Sequence, residues 1–223
     1  QTTGTTTVGI NSAAIFLASG GGRAVPVVKL TDVVAGQPFA AVGPPALTNA
    51  GTLVFRGLLN DLTDGIFAHA GTQTTPLVTS GRIVVTPDPD PVAQELLDFG
   101  PVVAANDAGD VVFTAGPLFD TNLDSLDLDG APGVFVLHDG GLSVLAYPGK
   151  TIETFGRVSN ATLGPEGANA VAPPGVTADG QVVFLAEMNG GKQHAIFRVD
   201  KPYDTGLLLP YVVLGGANAD DSP

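Results

Sequence analysis

The sequence has no cysteine and no tryptophan, and it contains one methionine and three tyrosines. Without cysteine, the chain cannot form disulfide bonds, use a catalytic thiol or hold zinc through thiolates. Without tryptophan and with so few tyrosines, it lacks most of the aromatic faces on which sugar-binding platforms usually rely. These absences exclude several classes of site and leave the fold open.

Positive charge is scarce as well. Nine Lys and Arg residues stand against 22 Asp and Glu residues, which gives a formal net charge of -13. Because a field of this sign repels phosphate groups, we predict that nucleic acid is not a partner. No apolar run approaches the roughly 20 residues that cross a bilayer, so we also predict no transmembrane segment.

What the chain does contain favours many short strands. Hydrophobic residues make up 44% of the chain, which excludes intrinsic disorder, and 30 glycines and 18 prolines are spread along it. No stretch shows a sustained helical period, and Val92–Phe99 is expected to form at most one helical turn. The composition therefore predicts an all-β protein.

A two-part repeat is the strongest pattern in the sequence. Its first part, Asn/Thr-x-x-Gly-x-Val/Leu-Val-Phe, predicts a turn and a strand and occurs at 48–55, 106–113 and 177–184. Its second part, Gly/Ala-Ile/Val-Phe, ends at Phe16, Phe67, Phe135 and Phe197. A period of about 50–70 residues with two hairpins per unit is typical of repeated β blades.

Stacking of these units face to face gives the predicted architecture. We expect a single β-repeat domain over residues 1–223, organised as a β-propeller-like array of four-stranded antiparallel blades. The approximate blades are 1–38, 39–85, 99–150 and 155–216. Because the first blade is incomplete, three arrangements stay open: a ring of about four blades, part of a larger propeller, or a ring that a partner closes.

The repeated elements resemble tandem repeats in proteins that bacteria secrete, which are large surface proteins predicted to be β-propellers. The likeness runs from about Ala13 to Leu214, and its motifs are short and structural. Only the third unit has asparagine, Asn106, at the first turn position, and Thr48 and Thr177 depart from asparagine there. The resemblance implies a cell-surface or extracellular repeat protein and supplies no catalytic residues. The richness in Thr, Gly, Ala and Asp likewise favours a bacterial or archaeal surface protein.

The candidate metal site is an insertion in the third unit, between Phe113 and Phe135. Ca²⁺ prefers oxygen ligands, and alternate residues of a curled loop can converge on one ion. The loop departs from an EF-hand, because Ser125 and Ala131 replace its glycine and its last glutamate. We predict Ca²⁺ as a candidate cofactor here, with a solvated acidic loop as the alternative. The candidate ligands are Asp120, Asn122, Asp124, Asp127 and Asp129.

Patterns that would indicate catalysis are weak. The sequence has no Gly-x-Ser-x-Gly elbow, and His69, His138 and His194 lie beside repeat strands, where they are not expected to share a metal. A carboxylate pair of the glycosidase type stays open, because space and not sequence sets such pairs. Glu187, near the end of an apolar strand, is its first candidate. We predict no catalytic residues and no enzyme activity.

These observations favour a non-enzymatic extracellular or cell-surface structural or binding module, with a protein or polysaccharide surface as its partner. One alternative is a carbohydrate-binding or carbohydrate-active propeller. Another is an accessory subunit whose incomplete first blade is completed by strand addition from a partner chain, which would produce a homo- or hetero-oligomer.

Overall fold

The computed structural model describes residues 14–18, 23–85, 93–116, 133–147, 149–152, 156–160, 174–189, 193–203 and 209–215. This part of the chain contains strands and no α-helix, so the all-β prediction is confirmed. Among the same residues, no helix is long and apolar enough to span a membrane. The strands are β1 (Ala14–Leu17), β2 (Val25–Lys29), β3 (Val33–Val34), β4 (Gln37–Val42), β5 (Ala46–Leu47), β6 (Leu53–Leu59), β7 (Asp64–Ala70), β8 (Gln73–Thr79), β9 (Ile83–Val85), β10 (Ala93–Glu95), β11 (Asp98–Ala105), β12 (Val111–Gly116), β13 (Gly133–His138), β14 (Gly141–Ala146), β15 (Thr151–Ile152), β16 (Gly156–Asn160), β17 (Gly175–Val176), β18 (Val182–Met188), β19 (Gln193–Val199) and β20 (Leu209–Gly215).

The strands pair in antiparallel fashion and form five groups in chain order. Strands β1 and β2 form the first hairpin, and β9 and β10 form a separate ribbon. The second sheet has the order β3-β4-β6-β7-β8, with β5 also on β6. The third sheet has the order β11-β12-β13-β14, and the fourth has the order β15-β16-β18-β19-β20, with β17 on β18. A strand count of four therefore applies to the third sheet alone among these groups.

The turn that opens each repeat has the same hydrogen bonds in the second, third and fourth sheets. Its first residue is Thr48, Asn106 or Thr177, whose side-chain oxygen accepts from the backbone N–H four residues later at 3.1, 2.9 and 2.9 Å. Its fourth residue is a glycine with φ between 83° and 87°, a region that favours glycine. Thr and Asn replace each other at the first position because both supply that oxygen.

A β-bulge precedes the phenylalanine of the second repeat element in every sheet that carries this element. The register shifts between Ile15 and Phe16 in the first hairpin and at the equivalent positions of the later sheets, before Phe67, Phe135 and Phe197. In the first hairpin and the second and fourth sheets a proline faces this phenylalanine, which fits a residue that cannot donate a ladder hydrogen bond. The units therefore repeat in register as well as in sequence.

Pairs of phenylalanines form the centres of the apolar layers. Their ring centroids lie 6.0, 5.6 and 5.7 Å apart in the pairs Phe55–Phe67, Phe113–Phe135 and Phe184–Phe197. Each pair belongs to the same buried cluster as apolar residues of the preceding sheet. The sheets therefore stack face to face in chain order, and the core consists of the layers between them.

Several strands were not predicted from the sequence. Val92–Phe99 was expected to form at most one helical turn, and Ala93–Glu95 within it forms β10, because it pairs with β9 and the ribbon places Val84 in the core. Strands β3, β4, β9, β15 and β16 were also not predicted. Strands β4 and β5 pair one after the other with β6, and β16 and β17 pair in the same way with β18.

Candidate functional site

A buried carboxylate, Asp110, lies where the third and fourth sheets meet. Its side chain has no exposed area. Its Oδ1 lies 2.6 Å from Nδ1 of His138, and its Oδ2 accepts a 2.6 Å hydrogen bond from Nδ2 of Asn106. The same Oδ2 forms a 2.9 Å ion pair with Nζ of Lys201. Asn106 and Asp110 belong to the turn before β12, His138 ends β13, and Lys201 follows β19, so the cluster depends on two sheets.

Tyr203 closes the cluster from the side of the fourth sheet. Its hydroxyl donates a 2.5 Å hydrogen bond to the carbonyl oxygen of Gly180, and its ring meets the His138 ring edge-on at 5.5 Å. Nζ of Lys201 lies 5.8 Å from the centroid of the same ring. Nδ2 of Asn106 also donates to the carbonyl oxygen of Thr177 at 2.9 Å. The turns that open two successive repeats are therefore joined through side chains.

The electrostatics of the cluster favour one charge state. Burial by itself would raise the pKa of Asp110, but hydrogen bonds from Lys201, Asn106 and His138 outweigh it and hold the pKa below its ordinary value of 3.8. Burial raises the pKa of Tyr203, and the negative charge of Asp110 raises it further. At neutral pH an ionised Asp110 therefore lies beside a neutral Tyr203. Because the carboxylate only accepts, the proton of its bond with His138 is on Nδ1.

An Asp–His pair is a common element of general base catalysis, so its outward nitrogen decides what it can do. Nε2 of His138 lies 3.2 Å from Oδ2 of Asp139, a side chain that is 83% exposed. Within the described ranges, no hydroxyl is hydrogen-bonded to this nitrogen. The pair joins the turn before β12 to the end of β13 within the third sheet, and Asn106 and Lys201 link it to the fourth sheet.

A second buried carboxylate, Asp64, lies between the second and third sheets. Arg56 binds it in bidentate fashion, with Nε 2.9 Å from Oδ1 and Nη2 2.6 Å from Oδ2. The backbone N–H of Phe99, on β11 of the next sheet, donates to Oδ2 at 3.1 Å. Because a bidentate guanidinium and a backbone amide converge on one carboxylate, Asp64 fixes how β11 packs on β6 and β7.

An exposed clamp joins the repeat turns of the same two sheets. The backbone N–H groups of Asn49 and Ala50 lie 2.6 and 3.3 Å from Oδ1 of Asp107, and Nδ2 of Asn49 donates to Oδ2 at 2.8 Å. The side-chain hydrogen bond from Asn49 is the largest cause of a lowered pKa of Asp107, and the two backbone amides add to it. The carboxylate therefore binds the turn in its ionised form.

An open groove of about 610 Å³ lies between the first hairpin, β3 and the β7–β8 hairpin. Nδ1 of His69 and Oγ1 of Thr74 are hydrogen-bonded at 2.9 Å on its wall. The groove offers an amine, a carboxylate, an imidazole and several hydroxyls, and its described lining residues include no Phe or Tyr. The lining residues are Pro26, Val27, Lys29, Thr31, Asp32, Val33, His69, Gly71, Thr72 and Thr74.

The structure brings together few of the residues singled out in the sequence. The predicted calcium ligands, Asp120, Asn122, Asp124, Asp127 and Asp129, lie outside the described residues. The histidines occupy three different register positions: His69 faces Leu53, His138 faces Gly141, and His194 faces Glu187 across the β18–β19 ladder. Within the described part of the chain, no three His, Asp or Glu residues come together as a set of metal ligands. His138 alone joins a polar cluster, and Glu187 is half-buried opposite His194.

Sequence reasoning missed the carboxylates Asp64, Asp107 and Asp110. Each has a partner far away along the chain, at a separation of 35 residues for Asp64 and Phe99, 58 for Asp107 and Asn49, and 28 for Asp110 and His138, so no local motif marks these contacts. One local signal was present. Asp110 occupies the variable position after the repeat glycine, where the other units have Thr52 and Gln181, and an acid there departs from the pattern.

Comparisons with known proteins give little support for any function. No family model matches the chain, and no curated protein matches it. Among solved structures, it is similar to hydrazine synthase of Kuenenia stuttgartiensis, with a TM-score of 0.46 and 12% sequence identity over 81% of this chain. The matched region is 26% of that chain, so the present chain spans only this share of its length. A likeness this distant carries no argument about function.

Proposed function

We propose that the chain is a non-enzymatic structural and binding module of an extracellular or cell-surface protein, built as a β-propeller-like array of sheets. The observation that carries this proposal is the role of its buried carboxylates. Asp64 and Asp110 both bind groups of the neighbouring sheet, and each has a cationic partner. A catalytic carboxylate would instead direct an oxygen towards space that a substrate can enter.

The order of the sheets supports the propeller-like part of the proposal. The second, third and fourth sheets direct their phenylalanine pairs towards the sheet or hairpin before them, so each junction repeats the previous one. Repetition of one junction along a chain is the principle of both solenoids and propellers. Units of 50 or more residues with antiparallel strands favour the propeller, as a rough guide from known repeat lengths.

Calcium binding by segment 120–129 belongs to the same proposal and gives its test. The experiment is a thermal melt in excess Ca²⁺ and in EGTA, with Asp124→Ala/Asp127→Ala beside the wild type. A ligand that binds only the folded state raises the melting temperature, so we expect a Ca²⁺-dependent rise that this variant loses. Half-saturation at about 10⁻⁴–10⁻³ M would match extracellular calcium modules.

A matched control removes the same charge elsewhere. Asp88→Ala/Asp90→Ala deletes two carboxylates from the Pro-rich segment 86–91, and it should keep the Ca²⁺-dependent rise. A rise that persists in the 124/127 variant, or no rise in the wild type, would contradict the calcium part. The inter-sheet role of Asp64 and Asp110 would then stand by itself.

Carbohydrate binding is the second candidate, and the groove beside β2 and β3 favours it. Its hydroxyl, amine and carboxylate groups are of the kind that hydrogen-bond to polyhydroxylated ligands. The test is binding to a panel of bacterial surface polysaccharides, with Thr31→Val/Thr72→Val as the groove variant. Thr75→Val, on an exposed position of β8 outside the groove, is the control. Binding that both variants retain would exclude the groove.

A further inference from the structure

In the stack of sheets, the two faces of each sheet have opposite roles, and this regularity is here called the stacking rule. One face, here called the Phe face, carries the phenylalanine pair and packs against the preceding sheet. The other, here called the Val/Ile face, carries the residues just before or after each phenylalanine and receives the next sheet. In the second sheet the Val/Ile face is marked by Val54 and Ile66, and these lie in one buried cluster with Phe113 and Phe135 of the third sheet.

Register places equivalent residues on the Val/Ile face of each sheet. Because Phe55, Phe113 and Phe184 are equivalent, Val54 and Ile66 correspond to Val112 and Val134 in the third sheet and to Val183 and Ile196 in the fourth. Val112 and Val134 are fully buried, in one cluster with Phe184 and Phe197. Leu185 and Arg198 also lie on this face of the fourth sheet. They correspond to Thr114 and Val136 in the third sheet.

Among the described residues, the two ends of the stack each lack one of these contacts. One end of the described stack leaves a Phe face without a preceding sheet, and the other leaves a Val/Ile face without a following sheet. Phe16, on the Phe face of the first hairpin, is 39% exposed, whereas its equivalents Phe67, Phe135 and Phe197 have no exposed area. Pro26, which faces Phe16 across the hairpin, is exposed too. At the other end, Val183 and Ile196 are half-buried, whereas the equivalent residues of the inner sheets are buried, and Leu185 beside them is half-buried as well.

We propose that the Phe face of the first hairpin in one copy of this chain docks on the Val/Ile face of the fourth sheet in a second copy. This contact continues the intramolecular junctions, because it places a phenylalanine on a Val/Ile pair, as in each layer of the core. The apolar groups that drive it are Phe16 and Pro26 on one side and Val183, Leu185 and Ile196 on the other. The proposal goes beyond the proposed function and depends neither on calcium nor on the groove.

Charge at the edge of the docking surface adds a polar rim. Arg198 lies on the Val/Ile face and forms a 3.2 Å ion pair with Asp200, and its Nε has no acceptor among the described residues. Glu187 and His194 face each other at the far end of the same face. Arginine surrounded by apolar side chains is typical of protein interfaces. The net charge of -13 opposes contact between copies, so salt should strengthen the association.

The contact joins two different faces and is therefore heterologous. Such contacts produce a ring if the rotation between copies closes, and an open chain of copies if it does not. This property gives a test that a symmetric dimer would fail. Phe16→Asp destroys only the Phe face, and Ile196→Asp destroys only the Val/Ile face, so each variant keeps one intact face.

The experiment measures mass by sedimentation equilibrium between about 1 µM and 1 mM, at about 0.05 and 0.5 M NaCl. The wild type should grow in mass with concentration, and more so at high salt. Each variant alone should stay monomeric, with association weakened at least about tenfold. An equimolar mixture of the two should form a 1:1 dimer and nothing larger, because only one productive contact remains.

Controls separate loss of the contact from loss of the fold. Leu62→Asp changes an equally apolar residue that is 78% exposed and lies on neither face, and it should associate like the wild type. Far-UV circular dichroism of every variant checks folding, and Phe16→Ser replaces Phe16→Asp if that variant unfolds. A wild type that is monomeric throughout would show that the chain covers its own two faces, and this would overturn the proposal. Self-association of either variant, or a mixture without dimer, would overturn it as well.

Discussion

The two junctions between complete sheets differ in how they combine apolar and polar contacts. Between the second and third sheets, Asp64 is held by the bidentate guanidinium of Arg56 and by the backbone N–H of Phe99. Between the third and fourth sheets, Asp110 is held by Asn106, His138 and Lys201, with Tyr203 beside them. The apolar layers of the two junctions are nearly identical. The polar groups around Asp64 and around Asp110, here called clasps, share neither position nor partner.

This difference shows which part of a junction the repeat determines. The phenylalanines and their bulges occur at one register in each unit, so the apolar layer follows from the repeated sequence. Asp64 lies on β7 and Asp110 lies before β12, positions that do not correspond. Each set of polar contacts therefore belongs to one junction alone.

The largest effect is expected from Asp110→Ala. Removal of a fully buried carboxylate leaves Asn106, His138 and Lys201 without their common acceptor, and a broken buried ion pair costs about 3 kcal/mol or more. Urea unfolding should show a lower midpoint with an unchanged slope. The control is Asp139→Asn, at an exposed position next to His138, which should change stability by less than about 0.5 kcal/mol. Equal losses in the two variants would mean that the Asp110 cluster adds nothing to the junction.

Two equivalent glycines allow the contribution of the Asp110 clasp to be separated from the cost of backbone strain. Gly51 and Gly180 hold the same place in equivalent turns, with φ of 83° and 87°, so alanine should strain both backbones by about 1–2 kcal/mol. A Cβ at Gly51 meets nothing within 4 Å, whereas one at Gly180 would lie 2.8 Å from Nζ of Lys201 and 2.9 Å from Oδ2 of Asp110. Gly180→Ala should therefore cost about 1 kcal/mol more, because the ion pair must separate.

The larger loss of stability expected for Gly180→Ala can be checked in a second background. In a Lys201→Ala background the two nearest atoms, Cε and Nζ of Lys201, are gone and Oδ2 of Asp110 remains, so the excess cost of Gly180→Ala over Gly51→Ala in urea unfolding should shrink. If the difference in cost between the two glycine variants is unchanged in this background, it comes from the turn itself and not from the Lys201–Asp110 ion pair.

Much of the fold could be predicted because its signals are local. The Gly at the fourth turn position and the Val-Val-Phe run after it mark a hairpin within eight residues, and most predicted strands formed. The bulge before each phenylalanine gave no signal that was recognised, although the prolines at Pro26, Pro76 and Pro210 coincide with it. A proline inside an apparent strand is a usable sign of a bulge or an edge.

The polar clusters could not be predicted for a related reason. The sequence draws attention to acids that are crowded along the chain, such as those at 120–129, because density is visible without a fold. The carboxylates that join the sheets are separated from each other, and their importance comes from burial between sheets, as for Asp110 with no exposed side chain. Only the stacking of sheets brings Lys201 to Asp110, and no sequence period encodes that contact.

Tyr203→Phe should have a smaller effect, and the effect should depend on pH. Loss of the hydrogen bond to Gly180 costs about 1 kcal/mol at neutral pH. The folded state raises the pKa of Tyr203 above its ordinary value of 10.0, so the folded chain holds a proton that the unfolded chain releases. That contribution to stability is complete below about pH 10 and is lost as pH rises further.

The measurement is the urea midpoint from pH 7 to about pH 11, for the wild type and Tyr203→Phe. The wild type should lose stability above about pH 10 more steeply than the variant, since phenylalanine has no proton to release. Parallel curves would show that the folded state does not hold the proton of Tyr203.

The smallest effect is expected from Asp107→Ala, and it should be local. Asp107 is exposed, so its hydrogen bonds to Asn49 and Ala50 compete with water, and the urea midpoint should not change measurably. The amides of Asn49 and Ala50 should nevertheless exchange with deuterium faster, because they lose their acceptor. The equivalent amides of the turn that begins at Thr177 are the control and should exchange as before.

Because hydrogen bonds from Asn49 lower the pKa of Asp107, protection in the wild type should persist down to about pH 3.8 and fade below it. A large drop in the urea midpoint would instead make this clamp a third structural joint between the sheets, equal in rank to the buried carboxylates.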